Sequence, residues 1–181
     1  MNKGIKFLKL LTTLLIILSS CSSIKVSSDY DTGVDFSRYK TYQLHDLSEL
    51  KIDDLNKRRI VGAVTDQLKL KGFTESENAD VIIDIGLNTR GESRATATST
   101  PSMTYYRPRW GYGTSFSTTT VQYEEYLVGT IFVSMIDAGS DQLVWQGRGE
   151  GTIDPNAKSE KREERIKMGM VKIFAQYPPK K

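Results

Sequence analysis

The stretch Tyr126-Leu127-Val128-Gly129-Thr130-Ile131-Phe132-Val133-Ser134-Met135-Ile136 decides how this chain folds. Tyr126, Val128, Thr130, Phe132, Ser134 and Ile136 share one face at a period of two, and Leu127, Ile131, Val133 and Met135 share the other. A strand that is largely apolar on both faces belongs at the centre of a sheet and is expected to be covered on both sides. Asp137-Ala138-Gly139-Ser140-Asp141 reads as a tight connection to a partner strand, on which Leu143 and Trp145 share a face. Gly147, Gly149 and Gly151 continue that partner and leave room for a bulge or for a helix lying close.

Upstream, Val81, Ile83, Ile85 and Leu87 alternate with Ile82, Asp84, Gly86 and Asn88, a second strong strand. Residues 91–120 differ in composition, mostly Ser and Thr around Tyr105-Tyr106-Arg107-Pro108-Arg109-Trp110-Gly111-Tyr112-Gly113. The Thr-rich flanks either extend two strands into a long hairpin or stay flexible, and no apolar period decides between them. Before these strands, Ile60, Val64 and Leu68 recur every four residues with Val61 beside them, which predicts a helix over 54–71. Asp53 or Asp54 caps it, Gly72 fits the left-handed position at its end, and Phe73 folds back on the last turn. Gly62 inside the helix is expected to mark close packing on the sheet.

At the N-terminal side, Ile24, Val26, Ser28 and Tyr30 alternate with polar residues as a first strand, and Asp31-Thr32-Gly33 is a turn. Val34 to Leu44 runs into a second strand with Tyr42 and Leu44 on one face. At the other end, Asp154-Pro155 predicts a helix start. Lys158 to Arg165 is charged all round and expected to be solvated. Ile166, Met170, Ile173, Phe174 and Tyr177 form an apolar stripe that Pro178-Pro179 stops. The order β-β-α-β-β-β-α predicts an α+β fold in residues 24–181: a single mixed, mainly antiparallel sheet, with two helices mainly on one face and a long Tyr/Ser/Thr-rich hairpin insert at about 91–120.

Residues 1–20 read as an export address. Lys3, Lys6 and Lys9 precede an apolar run, Leu10 to Leu18, that is too short to span a membrane. Leu18-Ser19-Ser20-Cys21 resembles a bacterial lipobox, which predicts cleavage before Cys21 and its acylation. Cys21 is the only cysteine, so it cannot close an intramolecular disulfide. More than one acyl chain is needed for stable anchoring, and a multiply acylated Cys21 meets that need. Ser22 after the cysteine, by resemblance to Gram-negative lipoproteins, implies the periplasmic face of the outer membrane. The tether 21–23 is short, reaching about 7 Å over two linker residues. Removing the leader takes away three lysines and no acid, leaving 22 basic and 22 acidic residues. The apparent basic character therefore belongs to the leader and points to no nucleic-acid partner.

Tyr30-Asp31, Asp35-Phe36-Ser37-Arg38-Tyr39-Lys40-Thr41-Tyr42, Lys71-Gly72-Phe73, Ala79-Asp80-Val81, Gly129-Thr130-Ile131, Ile136-Asp137, Val144-Trp145-Gln146-Gly147 and Tyr177-Pro178-Pro179, in that order, resemble the domain of unknown function 4136 family. The resemblance covers nearly all of residues 24–181. It implies a bacterial envelope lipoprotein and brings no catalytic residue, substrate, cofactor or partner.

The residues themselves support little enzyme chemistry. His45 is the only histidine, so a Ser-His-Asp triad or a zinc site lacks its parts. Asp80, Asp84, Asp137 and Asp141 sit near strand ends or on a polar strand face, where turn and edge roles explain them. A hydrolase of envelope glycans or lipids using such carboxylates is the rival reading. No metal or cofactor is expected. The aromatic segment Tyr105, Tyr106, Arg107, Arg109, Trp110 and Tyr112 carries the residue types that dominate interfaces, and the leading expectation is a non-enzymatic protein that uses this segment or its sheet edge to bind an envelope protein or polymer. A third reading is a lipid-ligand carrier with an apolar cavity between sheet and helices.

Overall fold

A computed structural model describes residues 24–48, 50, 52–102 and 116–179. The strands are β1 (Lys25–Tyr30), β2 (Thr41–Leu44), β3 (Thr74–Glu75), β4 (Val81–Ser102), β5 (Phe116–Asp137) and β6 (Gln142–Ile153). Helix α1 spans Asp54–Leu70 and lies between β2 and β3, and α2 spans Ser159–Phe174 and follows β6. The strands form one mixed sheet in the order β1-β6-β5-β4-β2-β3. Pairing is antiparallel among β1, β6, β5 and β4, and parallel where β2 meets β4 and β3. The α+β architecture expected from the sequence is therefore the one observed, with a two-residue β3 added at the edge.

Both helices lie on the same side of the sheet. Ile60, Val64 and Leu68 of α1 and Met170, Ile173 and Phe174 of α2 share one buried cluster with the inward residues of β4 and β5. That cluster includes Val81, Ile83 and Ile85 opposite Val133 and Met135. The strand β5 is central, but its second face carries no helix among the described residues. Val128, Thr130 and Ser134 are nonetheless buried there, and the Gln146 side-chain amide donates to the Ser134 hydroxyl at 3.0 Å. Arg148 lies over the Phe132 ring at 5.8 Å, and its guanidinium, with that of Arg90, binds Glu150. The period-two apolar signal thus overstated the cover: on that face Arg148 over Phe132 and Arg94 over Tyr126 stand where a helix layer was expected.

Four other expectations need correction. Leu143 and Trp145 do not share a face, because the register shifts between Met135 and Ile136 and leaves Val144 as an extra residue. That bulge buries both Val144 and Trp145 and turns Leu143 outward to 52% exposure. Gly62 does not touch the sheet; a Cβ there would meet nothing within 4 Å. Asp154 does not cap α2. Its carboxylate accepts from the Asn156 N–H in a local turn, and the helix begins at Ser159 behind Lys158, which makes no side-chain cap bond. The helix also ends at Phe174, before Tyr177, which is buried just beyond it.

The end of α1 follows the sequence reading. Gly72 has φ +86°, and the Phe73 N–H reaches back to the Leu68 carbonyl at 3.0 Å. A Cβ on Gly72 would meet nothing within 4 Å. Gly72→Ala should therefore cost only the left-handed backbone strain, about 1 kcal/mol, read as a lower urea midpoint with an unchanged slope. An unchanged midpoint would show that the helix end tolerates another conformation.

Candidate functional site

The strongest candidate among the described residues is an apolar cleft between the helices and the end of the sheet nearest Ile24. Its origin lies in the register. Successive inward rows across β4, β5 and β6 are Ile85–Val133–Gly147, Leu87–Ile131–Gly149 and Thr89–Gly129–Gly151. Larger side chains from elsewhere fill the first two rows. Trp145 and Ile173 lie so close over Gly147 that a Cβ there would meet them at 2.5 and 2.4 Å, and Ile173 covers Gly149. In the third row only Ile153 folds over Gly129. Beside Gly151, a Cβ would find Ile24 at 3.6 Å and Arg165 at 3.7 Å. The side chains run out before the helices do.

The result is a cleft of about 640 Å³, within the range of small-molecule sites. Leu50 and Ile52 from the connection before α1, Ile60 of α1, Leu87, Ile131 and Ile166 of α2 supply the walls. Gly169 of α2 faces it with only Ile24 near, at 3.8 Å from an added Cβ. Arg165 stands at the rim, and its Nη2 donates to the Thr152 carbonyl at 2.7 Å. Glu150 borders the cleft only through its strand, since its carboxylate is held by Arg90 and Arg148 on the opposite face. The chemistry offered is apolar enclosure with a cationic rim.

The carboxylates singled out in the sequence are not brought together. Asp137 opposes Val81 on the helix side, whereas Asp84 opposes Ser134 on the open side, so the sheet separates them. Asp137 is also fully engaged. Its Oδ2 accepts from the Tyr39 hydroxyl at 2.8 Å and from Arg38, and its Oδ1 accepts from the Gly139 and Ser140 N–H groups and the Ser140 hydroxyl. The Tyr39 hydroxyl and the Ser140 N–H hold its pKa down at about 2. Burial, then the bond to Asp137, pushes Tyr39 up to about 12. Asp80 accepts from the Lys40 and Thr41 N–H groups, which lowers its pKa and ties β2 to β4. Asp141 takes φ +55° in the β5–β6 turn. His45 and Asp84 stand 3.9 Å apart, both well exposed. Among the described residues, no cluster of three His, Cys, Asp or Glu side chains is placed to hold a metal, and no helix is long and apolar enough to cross a membrane.

Cys21, with the leader and tether, and Tyr105, Tyr106, Arg107, Arg109, Trp110 and Tyr112 lie outside the described residues. The flanks of the aromatic segment do form a hairpin. From Glu92–Tyr126 to Ser102–Phe116, β4 and β5 pair beyond the end of β6 as a two-stranded arm, roughly 35 Å long. Tyr123 is 74% exposed on it. The lipid-carrier reading expected an apolar cavity between sheet and helices but not its place or lining, although Gly129, Gly149 and Gly151 carried that signal.

The family model for a domain of unknown function, DUF4136, matches residues 26–179. The chain belongs to that family. No curated protein matches this DUF4136 chain. Among solved structures, a PDZ domain protein from Parabacteroides distasonis ATCC 8503 has a TM-score of 0.54 at 14% identity; the match covers 95% of the DUF4136 chain and 40% of the other. The DUF4136 chain thus accounts for well under half of that protein's length, and the likeness concerns the fold alone. The PelC dodecamer from Paraburkholderia phytofirmans has a TM-score of 0.47 at 11% identity, over 87% of this chain and 99% of that one.

Proposed function

We propose that this protein is a lipid-anchored, non-enzymatic protein of the bacterial cell envelope that holds an apolar ligand, an acyl chain, in the cleft beside Ile24. Cys21 supplies the anchor, on the periplasmic face of the outer membrane. One observation carries the reading: the only residues between Cys21 and the cleft wall at Ile24 are Ser22 and Ser23. An acylated Cys21 would thus hold the mouth within about 10 Å of the lipid. Each CH₂ that leaves water for such a cleft contributes about 0.8 kcal/mol, so a chain of moderate length is retained without any polar contact.

The test is the full chain, purified with its lipid, titrated with the neutral apolar dye phenylnaphthylamine. Gly169→Leu places a side chain into the cleft and raises helix propensity. It should weaken dye binding about tenfold or more while the fold holds, since 1.4 kcal/mol corresponds to roughly two displaced methylenes. Equal binding by both proteins would place the dye elsewhere and end the cleft proposal. Cys21→Ser should abolish lipid labelling and release the protein from membranes; retention in the membrane fraction would show that something else holds it there.

The exposed arm favours a second reading, a protein or polymer partner bound by its tip. Crosslinks from Trp110 in intact cells that vanish on deletion of 99–117 would support it, and partner binding that survives the deletion would count against it.

A further inference from the structure

The charged half of α2 is not evenly solvated. At about 100° per residue, Lys158, Lys161, Arg162 and Arg165 fall within one arc, and Glu160, Glu163 and Glu164 fall on the opposite side. The acidic side is oriented toward α1. Glu163 pairs with Lys167 at 2.7 Å, Arg59 of α1 adds to the lowering of the Glu163 pKa, and Asp66 of α1 to the raising of the Lys167 pKa. The basic side is therefore turned toward the chain that leaves β6, and Arg165 on it lines the cleft mouth. Arg162 Nη2 donates to the Pro155 carbonyl at 2.7 Å, as Arg165 does to that of Thr152. Between these carbonyls, Asp154 is occupied by the Asn156 N–H. Among the described residues neither arginine has a carboxylate partner. A guanidinium carries five N–H donors, so each has several left after one carbonyl bond.

We infer that the ligand of the cleft is an anionic membrane phospholipid, one acyl chain lying in the cleft and its phosphate held by Arg165 and Arg162. This rests on the cleft reading above and adds the head group to it. Charge complementarity selects the occupant: the walls are mainly aliphatic, Arg165 lines the rim with Arg162 one turn before it, and the strand carboxylate that borders the cleft, Glu150, is neutralised on the other face. Planar guanidinium groups bind phosphate oxygens in pairs, which a zwitterionic head satisfies less well because its ammonium meets the same cations. Lys158 and Lys161 extend the same stripe and add attraction that salt weakens.

The decisive experiment displaces phenylnaphthylamine from the full chain with two single-chain lipids of equal length, lysophosphatidylglycerol and lysophosphatidylcholine. The anionic lipid should compete at about tenfold lower concentration at low salt. An Arg162→Gln, Arg165→Gln double variant should lose that preference while lysophosphatidylcholine competes as before. Equal competition by both lipids on the wild type, or a preference that survives the double substitution, overturns the head-group assignment and leaves the cleft standing. Failure of either lipid to displace dye that Gly169→Leu does displace would overturn the assignment of a lipid chain itself. Stronger competition by the fatty acid anion of the same length would shift the source from phospholipid to free acid and overturn the phospholipid assignment.

Discussion

Trp145→Ala is expected to cost about 4 kcal/mol, the largest loss from any single truncation in this core. Trp145 is fully buried and packs at 5.9 Å from Phe174 and 5.4 Å from Tyr177. Its six-membered ring lies over Gly147, where a Cβ would come within 2.5 Å of it. The residue below has no side chain with which to refill the space, and Ile173 already closes the other side. The cavity therefore stays open. Small domains have about 5–15 kcal/mol in all, so the variant should lie near its unfolding threshold at moderate urea. The Nε1 of Trp145 has no hydrogen-bond partner among the described residues. Trp145→Phe should accordingly recover most of the loss, since only volume is missing. If phenylalanine were as damaging as alanine, a hydrogen bond, not packing, would be the main contribution of this side chain.

What was legible in the sequence follows from which forces are local. The helix at 54–70 was readable because its stripe, its acidic cap and its terminal glycine all report on contacts within a few residues. Asp53 does accept from the Asn56 N–H, and Gly72 does take the left-handed conformation. The strands were readable from alternation, and the ordered family blocks run through the same elements. The Val144 bulge was not readable, because an extra residue shifts the period by one without changing composition. The position of Asp154 misled for a related reason: Asp-Pro serves a turn as well as a helix start, and only the backbone that follows decides between them. The position of the cleft was hidden because it is made by what β5 and β6 lack in the same row. Gly129 and Gly151 are far apart in sequence, and nothing local says that they are opposed. The side of α2 that carries Arg162 and Arg165 could have been found by placing its charges on a helical wheel, where alternation in sequence becomes segregation in space. The separation of Asp84 from Asp137 needed the register, which pairs Asp137 with Val81, an odd number of positions from Asp84, and so sends the two to opposite faces.

Asp137→Ala should cost about 3 kcal/mol, second only to the loss at Trp145. The carboxylate closes the β5–β6 turn onto the segment before β2. Removing it strands the buried Tyr39 hydroxyl and leaves the Gly139 and Ser140 N–H groups without their acceptor. Arg38 contributes less, because its side chain is 61% exposed and water replaces the contact. Asparagine keeps one acceptor oxygen but turns an N–H₂ toward donors, so Asp137→Asn should fall between wild type and alanine. The pH dependence separates charge from shape. Asp137 titrates at about 2 in the fold and near 3.8 when unfolded, so the folded state favours the ionised form. Its contribution is present above about pH 4 and is lost as the pH falls from there through 2, amounting to about 2 kcal/mol. The raised pKa of Tyr39 comes first from its burial and then from the same bond, and it adds nothing further to that figure. Urea unfolding of wild type and Asp137→Asn at pH 7 and pH 2.5 should therefore show the gap between them narrowing in acid, while other depressed carboxylates such as Asp80 weaken both alike. A gap that stays constant with pH would mean that the turn is held by the shape of the side chain and not by its charge.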